Sequence, residues 1–321
     1  MARVALNSRT KGALLVMMAG VLWGTTGIIV KAIYAVTTMG PVSVSLFRLL
    51  VALPFLASLV AMKRYDMSIT RRELIVFAGF GFCSLTVFVI LYFTSFAYTT
   101  VQHAAALLYT APAFVAVLSW IILKENMTRA KVTAVVLSVL GALLIVGVLR
   151  GGQLFSSRTQ IGDWLALASG LAYSSWYIFG KVLGRNREPA VVSFVGMCFG
   201  ALFLFLIAVA AGALQIPHGA VAWGLLVLLG LVPTTLAYLS YLAGLQLIDA
   251  TSASVFAIIE PVTAVILGFL LLQETLSYDS LLGFALIVSS ILLISLTANS
   301  TRPPAIQAIE QGPPSRSFLS E

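Results

Sequence analysis

Acidic residues are scarce in this chain. Its 321 residues hold eleven Asp and Glu against nineteen Lys and Arg, with only two His and two Cys. Charged residues make up 9%, where a soluble domain carries roughly a quarter. A surface so poor in charge excludes a water-soluble globule. Cys83 and Cys198 both fall inside apolar runs, which excludes a disulfide framework and an all-cysteine zinc site. His103 and His218 lie far apart in the sequence, so no metal site is expected. No G-x-x-x-x-G-K-[ST] occurs. Gly180-Lys181 lacks its upstream glycine because Ser175 stands there, so nucleotide hydrolysis has no phosphate cradle. H-E-x-x-H is also absent, and Asp163, Asp249 and Asp279 sit at the ends of apolar runs. An intramembrane aspartyl protease would need such residues at mid-depth. No enzymatic activity and no cofactor is expected. The basic residues sit in short connections, without a stripe of interleaved aromatics, so nucleic acid is not an expected partner.

What the sequence has is apolar length. Hydrophobic residues make up 60%, with a mean hydropathy of +1.05. About 20 helical residues cross ~30 Å of hydrocarbon. Ten apolar segments meet that length: 12–33, 42–62, 74–96, 101–123, 130–149, 161–183, 190–212, 221–243, 250–272 and 280–298. The expected fold is therefore an all-α integral membrane protein of ten transmembrane helices, with the lipid bilayer as partner. The first run follows Arg3, Arg9 and Lys11 and continues to Ile33, too long for a signal peptide, so it reads as a retained span. Residues 1–11 precede it. The tail 299–321 carries Pro303, Pro304, Pro313 and Pro314 among polar residues and reads as disordered.

Of the 19 Lys and Arg, 15 fall in the termini and in 63–73, 124–131 and 181–189. These regions alternate along the chain with those holding Lys31, Arg150 and Arg158. The positive-inside rule then places both termini in the cytoplasm, in an inner (plasma) membrane. Nothing in the sequence demands an oligomer, and a monomer is expected.

The chain also repeats itself at an offset of 149 or 150 residues. Gly12 falls on Gly162, Gly20 on Gly170 and Lys31 on Lys181. Gly81 falls on Gly230, Tyr92 on Tyr241, Pro112 on Pro261 and Glu125 on Glu274. Each copy, 12–149 and 161–298, holds five spans. Five is odd, so the second copy enters from the opposite side, giving two inverted five-helix repeats. Such halves can exchange conformations, which suits alternating access.

Glu260 is the feature hardest to place in lipid. It sits mid-span, where a charge costs roughly 2.5–3.5 kcal/mol, with Pro261 directly behind it. Pro261 cannot donate to the carbonyl of Ala257 and breaks the helix there; Pro112 does the same to Leu108. Matched breaks at matched depth frame a midplane site in many carriers. Helical spacing aligns Ser252, Phe256, Glu260 and Thr263 on the ninth span, and Thr234, Tyr238 and Tyr241 on the eighth. The sixth aligns Ser169, Tyr173, Trp176, Tyr177 and Gly180. The fourth gives His103, Thr110 and Phe114, and the first Gly20, Trp23, Gly24 and Gly27. The expected solute-binding residues are Trp23, Tyr109, Thr110, Tyr173, Trp176, Tyr177, Thr234, Tyr238, Ser252, Phe256 and Glu260. Glu260 and His103 are the candidates for proton coupling. Glu260 either lines a cavity or bonds a neighbouring helix. Gly20, Gly24 and Gly27 read as helix-packing positions. Lys31, Lys181, Glu125 and Glu274 read as solvated or interfacial span ends, and Arg48 as a structural brace.

The five-plus-five pattern, the Pro112 and Pro261 helices that each close on a glutamate, and the run FRLLVALPFL after Gly40-Pro41 resemble the EamA-type members of the drug/metabolite transporter superfamily. The resemblance covers about 12–298. It implies a membrane carrier of small organic metabolites, often an exporter, with amino acids as the expected solute. A multidrug carrier, an uptake permease or a channel are the alternatives. Arg48 resembles the family's second-span arginine, but its counterpart in the second copy is Cys198, so it is not a symmetric feature.

Overall fold

A computed structural model describes residues 7–99, 101–145, 160–272 and 278–297. The expected tail 299–321, together with Arg3, Arg150, Arg158 and Glu274, lies outside these residues. Every regular element among the described residues is a helix. Six helices are long and apolar enough to cross a bilayer: Ser8–Val36, Pro41–Lys63, Arg71–Ser95, Pro189–Ala210, Ala220–Leu247 and Ala250–Leu271. Ala111–Leu123 and Leu281–Ile294 are shorter apolar helices.

The first helix starts earlier than the hydropathy limit of 12. α1 (Ser8–Gly24) begins at Ser8 because the Asn7 side chain accepts from Arg9 N–H at 3.3 Å. It passes through Thr25 into α2 (Thr26–Val36). Pro41 opens α3 (Pro41–Lys63), where a missing N–H costs nothing. α4 (Arg71–Gly79) starts in a capping box: Thr70 Oγ1 accepts from Glu73 N–H, and the Glu73 carboxylate accepts from Thr70 N–H. It continues through a π-helical stretch, Phe80–Val87, into α5 (Phe88–Ser95). α6 (Val101–Leu108) breaks before Pro112, and α7 (Ala111–Leu118) ends in a π turn, Ser119–Leu123. α8 (Arg129–Ile145), α9 (Gln160–Leu183) and α10 (Pro189–Ala210) follow. α11 (Ala220–Leu229) passes through a second π-helical stretch, Gly230–Leu236, into α12 (Ala237–Leu247). α13 (Ala250–Ala257) breaks at Ile258 before Pro261, and α14 (Ile259–Leu272) and α15 (Tyr278–Thr297) complete the chain.

The bundle inverts the polarity of a soluble protein. Leu202, Phe205, Leu206, Trp120, Ile121 and Ile122 point outward, while Ser43, Ser84, Thr86, Ser169, Thr234 and Ser254 are buried. An acyl environment offers no partner to a hydroxyl, so polar groups turn inward and bond to helix carbonyls. Trp164 and Trp223 are exposed, 56% and 42%, as anchors at a bilayer interface would be. Four pairings dominate the packing: α1 on α12, α5 on α9, α3 on α10 and α8 on α15. Small residues allow the close ones. Gly12 and Gly244 face each other's helices in the α1–α12 contact.

Both proline breaks sit against a glycine of another helix. A Cβ on Gly20 would lie 2.8 Å from Ala257 O, the carbonyl that Pro261 cannot serve. A Cβ on Gly170 would lie 3.1 Å from Leu107 O and 3.4 Å from Leu108 O, the latter being the carbonyl that Pro112 cannot serve. The freed carbonyls come too close for a side chain to fit comfortably, and each glycine removes the obstacle.

Candidate functional site

Where α1, α2, α3, α5, α9, α12 and α14 meet, they enclose a cavity of ≈ 180 Å³. At ~30 Å³ each, that is room for about six waters. Its inner end is aromatic. Trp176 and Tyr238 meet edge to face with ring centroids 4.3 Å apart, and Trp23 lies 5.9 Å from Tyr238. Behind them, Tyr241 packs 5.3 Å from both Trp23 and Tyr177, and Tyr177 packs 5.9 Å from Tyr173. These rings form a continuous floor. The opposite end of the cavity reaches Tyr34, Pro41 and Val44, beside the 37–40 connection.

Six of the expected site residues line this cavity: Trp23, Tyr109, Tyr173, Trp176, Tyr238 and Glu260. Tyr177 lines a small recess behind it, with Tyr109, Tyr173 and Glu260. The structure places the other described candidates away from this wall. Thr110 is not on the cavity wall; its hydroxyl donates to Leu107 O at 2.6 Å, at the α6–α7 break. Thr234 is fully buried in the π-helical stretch and donates to Leu229 O at 2.8 Å. Ser252 N–H donates to Asp249 Oδ1 and its hydroxyl to Oδ2, both at 2.9 Å, as part of a helix cap. Phe256 is core, 1% exposed. In each case the hydroxyl donates to a nearby acceptor, backbone or cap. His103 belongs to α6, and its side chain lies outside the described residues.

Several wall residues were not expected as binding positions: Arg48, Ser45, Ser84, Phe88 and Tyr92. Ser84 and Ser175 share a hydrogen bond, 2.6 Å between hydroxyl oxygens. Spacing could not find these residues, because α5 and α3 carry apolar side chains on every face. Arg48 was visible as a charge, but its direction was not.

The end of the bundle beyond the aromatic floor is sealed by polar contacts. Glu125 accepts from Ala250 N–H at 2.7 Å and from the Thr251 hydroxyl at 2.9 Å. Lys131 Nζ lies 3.0 Å from Asp249 Oδ1 and 3.9 Å from Glu125 Oε2. Lys181 Nζ donates to Leu245 O at 2.6 Å and to Ile248 O. Glu125 and Lys181 are therefore not solvated span ends. They tie α7, α8 and α9 to the α12–α13 corner. Asp249 lies outside the spans. Burial alone would raise its pKa, but Lys131 and the Ser252 donors outweigh this and hold it below the usual carboxylate range. Among the described residues, no cluster of three His, Cys, Asp or Glu could hold a metal ion.

Long apolar helices around an inward-facing polar and aromatic cavity define a multi-pass membrane protein with an internal solute-sized chamber. The family is then plain: residues 10–147 and 160–296 each match the EamA-like transporter family, and the chain belongs to it. It is a membrane transporter. It is 25% identical over 291 residues to an uncharacterized transporter of Archaeoglobus fulgidus, covering 90% of this chain and 98% of that one. It is 28% identical over 306 residues to the uncharacterized inner membrane transporter YicL of Salmonella typhimurium, covering 91% and 97%. One solved crystal structure superposes with a TM-score of 0.78 at 20% sequence identity, covering 91% of this chain and 98% of that one. That likeness concerns the fold alone.

Proposed function

We propose that this transporter moves a small organic metabolite, amino acids first, out of the cytoplasm by alternating access between two inverted five-helix halves, 12–149 and 161–298. The observation that carries the reading is the reciprocity of contacts across the halves. Gly20 of the first half receives the broken helix of the second, and Gly170 of the second receives the broken helix of the first. The pattern recurs elsewhere. Gly81 packs on Phe199 and Gly200 of α10, and Gly230 on Arg48 and Val51 of α3. Exchanging the halves maps α3–α10 and α8–α15 onto themselves, and α1–α12 onto α9–α5. Two halves that hold each other by equivalent contacts can trade roles, so the cavity closes on one face as it opens on the other.

With both termini in the cytoplasm, the Glu125–Lys131–Asp249–Lys181 end is the cytoplasmic one. The conformation described is then open outward and shut inward. Glu260 takes up and releases the coupling proton. The protein works as a monomer in the inner membrane. The aromatic floor closes the route through the bundle, which favours a carrier over a pore.

Purified protein in proteoliposomes, offered labelled amino acids with and without a pH gradient, tests this. Saturable uptake stimulated by counter-flow is expected. Unsaturable flux would establish a channel. Full pH-driven transport by Glu260→Gln would remove Glu260 as the coupling group.

A further inference from the structure

Lys31 and Lys181 hold the same place in the two copies, at an offset of 150, yet the structure uses them differently. Lys181 stands near the C-terminal end of α9. Its Nζ donates to Leu245 O at 2.6 Å and to Ile248 O, at the C-terminal end of α12. The last carbonyls of a helix have no donor within it. The ammonium serves them and answers the negative end of the helix dipole. Gln246 adds a second tie, its Nε2 donating to Gly184 O at 2.9 Å and to Arg187 O at 2.8 Å. The shut end is thereby fastened from α9 to α12.

Lys31 is in the opposite condition. It stands near the C-terminal end of α2 and is exposed. Among the described residues it forms neither a hydrogen bond nor an ion pair. The sequence offset makes α2 the counterpart of the C-terminal part of α9, and α5 the counterpart of α12. α9 packs on α12, but α2 and α5 are not a packed pair. Both line the cavity instead, through Val30 and Tyr34 of α2 and through Phe88, Tyr92 and Phe93 of α5. One lysine bonded and its twin loose is what interchangeable halves show in one of their two states.

The other ties of the shut end are not repeated. At an offset of 149, Gln246 falls on Ala97, Asp249 on Thr100 and Lys131 on Ser280. Neither the amide tie nor the Lys131–Asp249 ion pair has a counterpart in the first copy. The lysine does, and the position equivalent to Leu245 is Phe96, at the end of α5.

We propose that Lys31 is the latch of the outer end: when the halves exchange conformation, its Nζ donates to the C-terminal carbonyls of α5, at Phe96, as Lys181 now does to those of α12. This rests on the alternating-access reading above and assigns its outer closure to a residue. A lysine that only solvates a span end has no influence on which end is open, and that difference is what the test reads.

The experiment uses the full-length protein in sealed vesicles, with Cys83 and Cys198 replaced by serine and a single cysteine at Ser45, on the cavity wall. An impermeant thiol reagent is applied from either face, and the ratio of outside to inside labelling rates is measured. Lys31→Met is expected to raise that ratio about tenfold, as the loss of a hydrogen bond from a charged donor would. Lys181→Met lowers it by about as much. Lys31→Arg keeps a cationic donor and stays near the parent ratio. Lys31 is exposed, so its variants keep the fold; Gln246→Ala replaces Lys181→Met should that variant not fold, and moves the ratio the same way. The proposal is overturned if Lys31→Met leaves the ratio unchanged, or if Lys31→Arg moves it as far as Lys31→Met. A ratio that responds to Lys181→Met but not to Lys31→Met leaves alternating access standing and removes the latch alone. A cysteine that no variant exposes to the inside defeats alternating access, and the latch with it.

Discussion

Substituting alanine at three glycines of the repeat gives a graded test of how the broken helices are seated. A Cβ on Gly20 would meet Ile259 Cγ2 at 2.5 Å and Ala257 O at 2.8 Å. Carbon atoms settle about 3.5–4.0 Å apart, so α1 must withdraw from the α13–α14 break by roughly 1 Å. Overpacking of this kind costs about 1–3 kcal/mol. The better helix propensity of alanine returns ~1 kcal/mol, leaving a net loss of about 0–2 kcal/mol. Gly170 is milder, its nearest contact being 3.1 Å, and should lose less. Gly27 is the control: nothing lies within 4 Å of its Cβ position, so alanine there should be neutral or stabilising by up to ~1 kcal/mol. Thermal unfolding in detergent should rank the variants Gly27→Ala above Gly170→Ala above Gly20→Ala. Uptake should fall most for Gly20→Ala, because the shift separates Trp23 from Glu260. Equal stability and uptake for Gly20→Ala and Gly27→Ala would refute the seating.

Two further outcomes follow from the polar contacts of the closed end. Lys131→Ala leaves Asp249 and Glu125 without their shared cation, costing about 2 kcal/mol. It should expose the cavity from the cytoplasmic face to a thiol reagent at a cysteine placed at Ser84, on the cavity wall; unchanged labelling from that face would mean the contacts do not hold the end shut. Arg187 joins the 66–73 connection to the 184–188 turn: its Nε and Nη2 donate to Glu73 Oε1 and Oε2 at 2.7 and 2.8 Å, and Nη2 to Ser68 O at 2.7 Å. Arg187→Ala should lower stability by about 1 kcal/mol. Asp66 nearby is held below the usual carboxylate range by the Ser68 hydroxyl and N–H, with Arg187 adding to it. A depressed carboxyl contributes stability above its unfolded pKa and loses it as pH falls through the folded one. Melting temperature should therefore drop on acidification below about pH 4, with a shallower slope in Arg187→Ala; identical slopes would contradict the contact.

Glycine and proline made the fold legible. Pro112 and Pro261 marked the helix breaks through sequence offset alone; that Gly20 and Gly170 receive them is visible only in the structure. The midplane acid was legible too, since Glu260 had no acceptable place in lipid. The aromatic wall was partly so: Trp23, Tyr173, Trp176 and Tyr238 lie deep on stripes that do face the cavity. What failed was polarity as a guide to direction. Thr110, Thr234 and Ser252 spend their hydroxyls on nearby backbone or cap acceptors, which no pattern distinguishes from pointing at a solute. Phe256 shares the stripe of Glu260, but the turn at Ile258 ends that register. The charges of Glu125 and Lys181 read as solvated or interfacial ends because their partners, Ala250 N–H and the Leu245 carbonyl, are backbone groups that leave no trace in the sequence.

Side-specific labelling tests the opposed orientation of the halves most directly. In a background with Cys83 and Cys198 replaced by serine, single cysteines at Thr38 and Glu188, which occupy equivalent places in the two copies at an offset of 150, meet an impermeant thiol reagent from one face of sealed vesicles. The expected result is labelling of Thr38→Cys from outside only and Glu188→Cys from inside only. A cysteine at Ser45, on the cavity wall, should react from the Thr38 side and be slowed by the transported solute. Labelling of Thr38→Cys and Glu188→Cys from the same face would contradict inverted halves, and with them the mechanism.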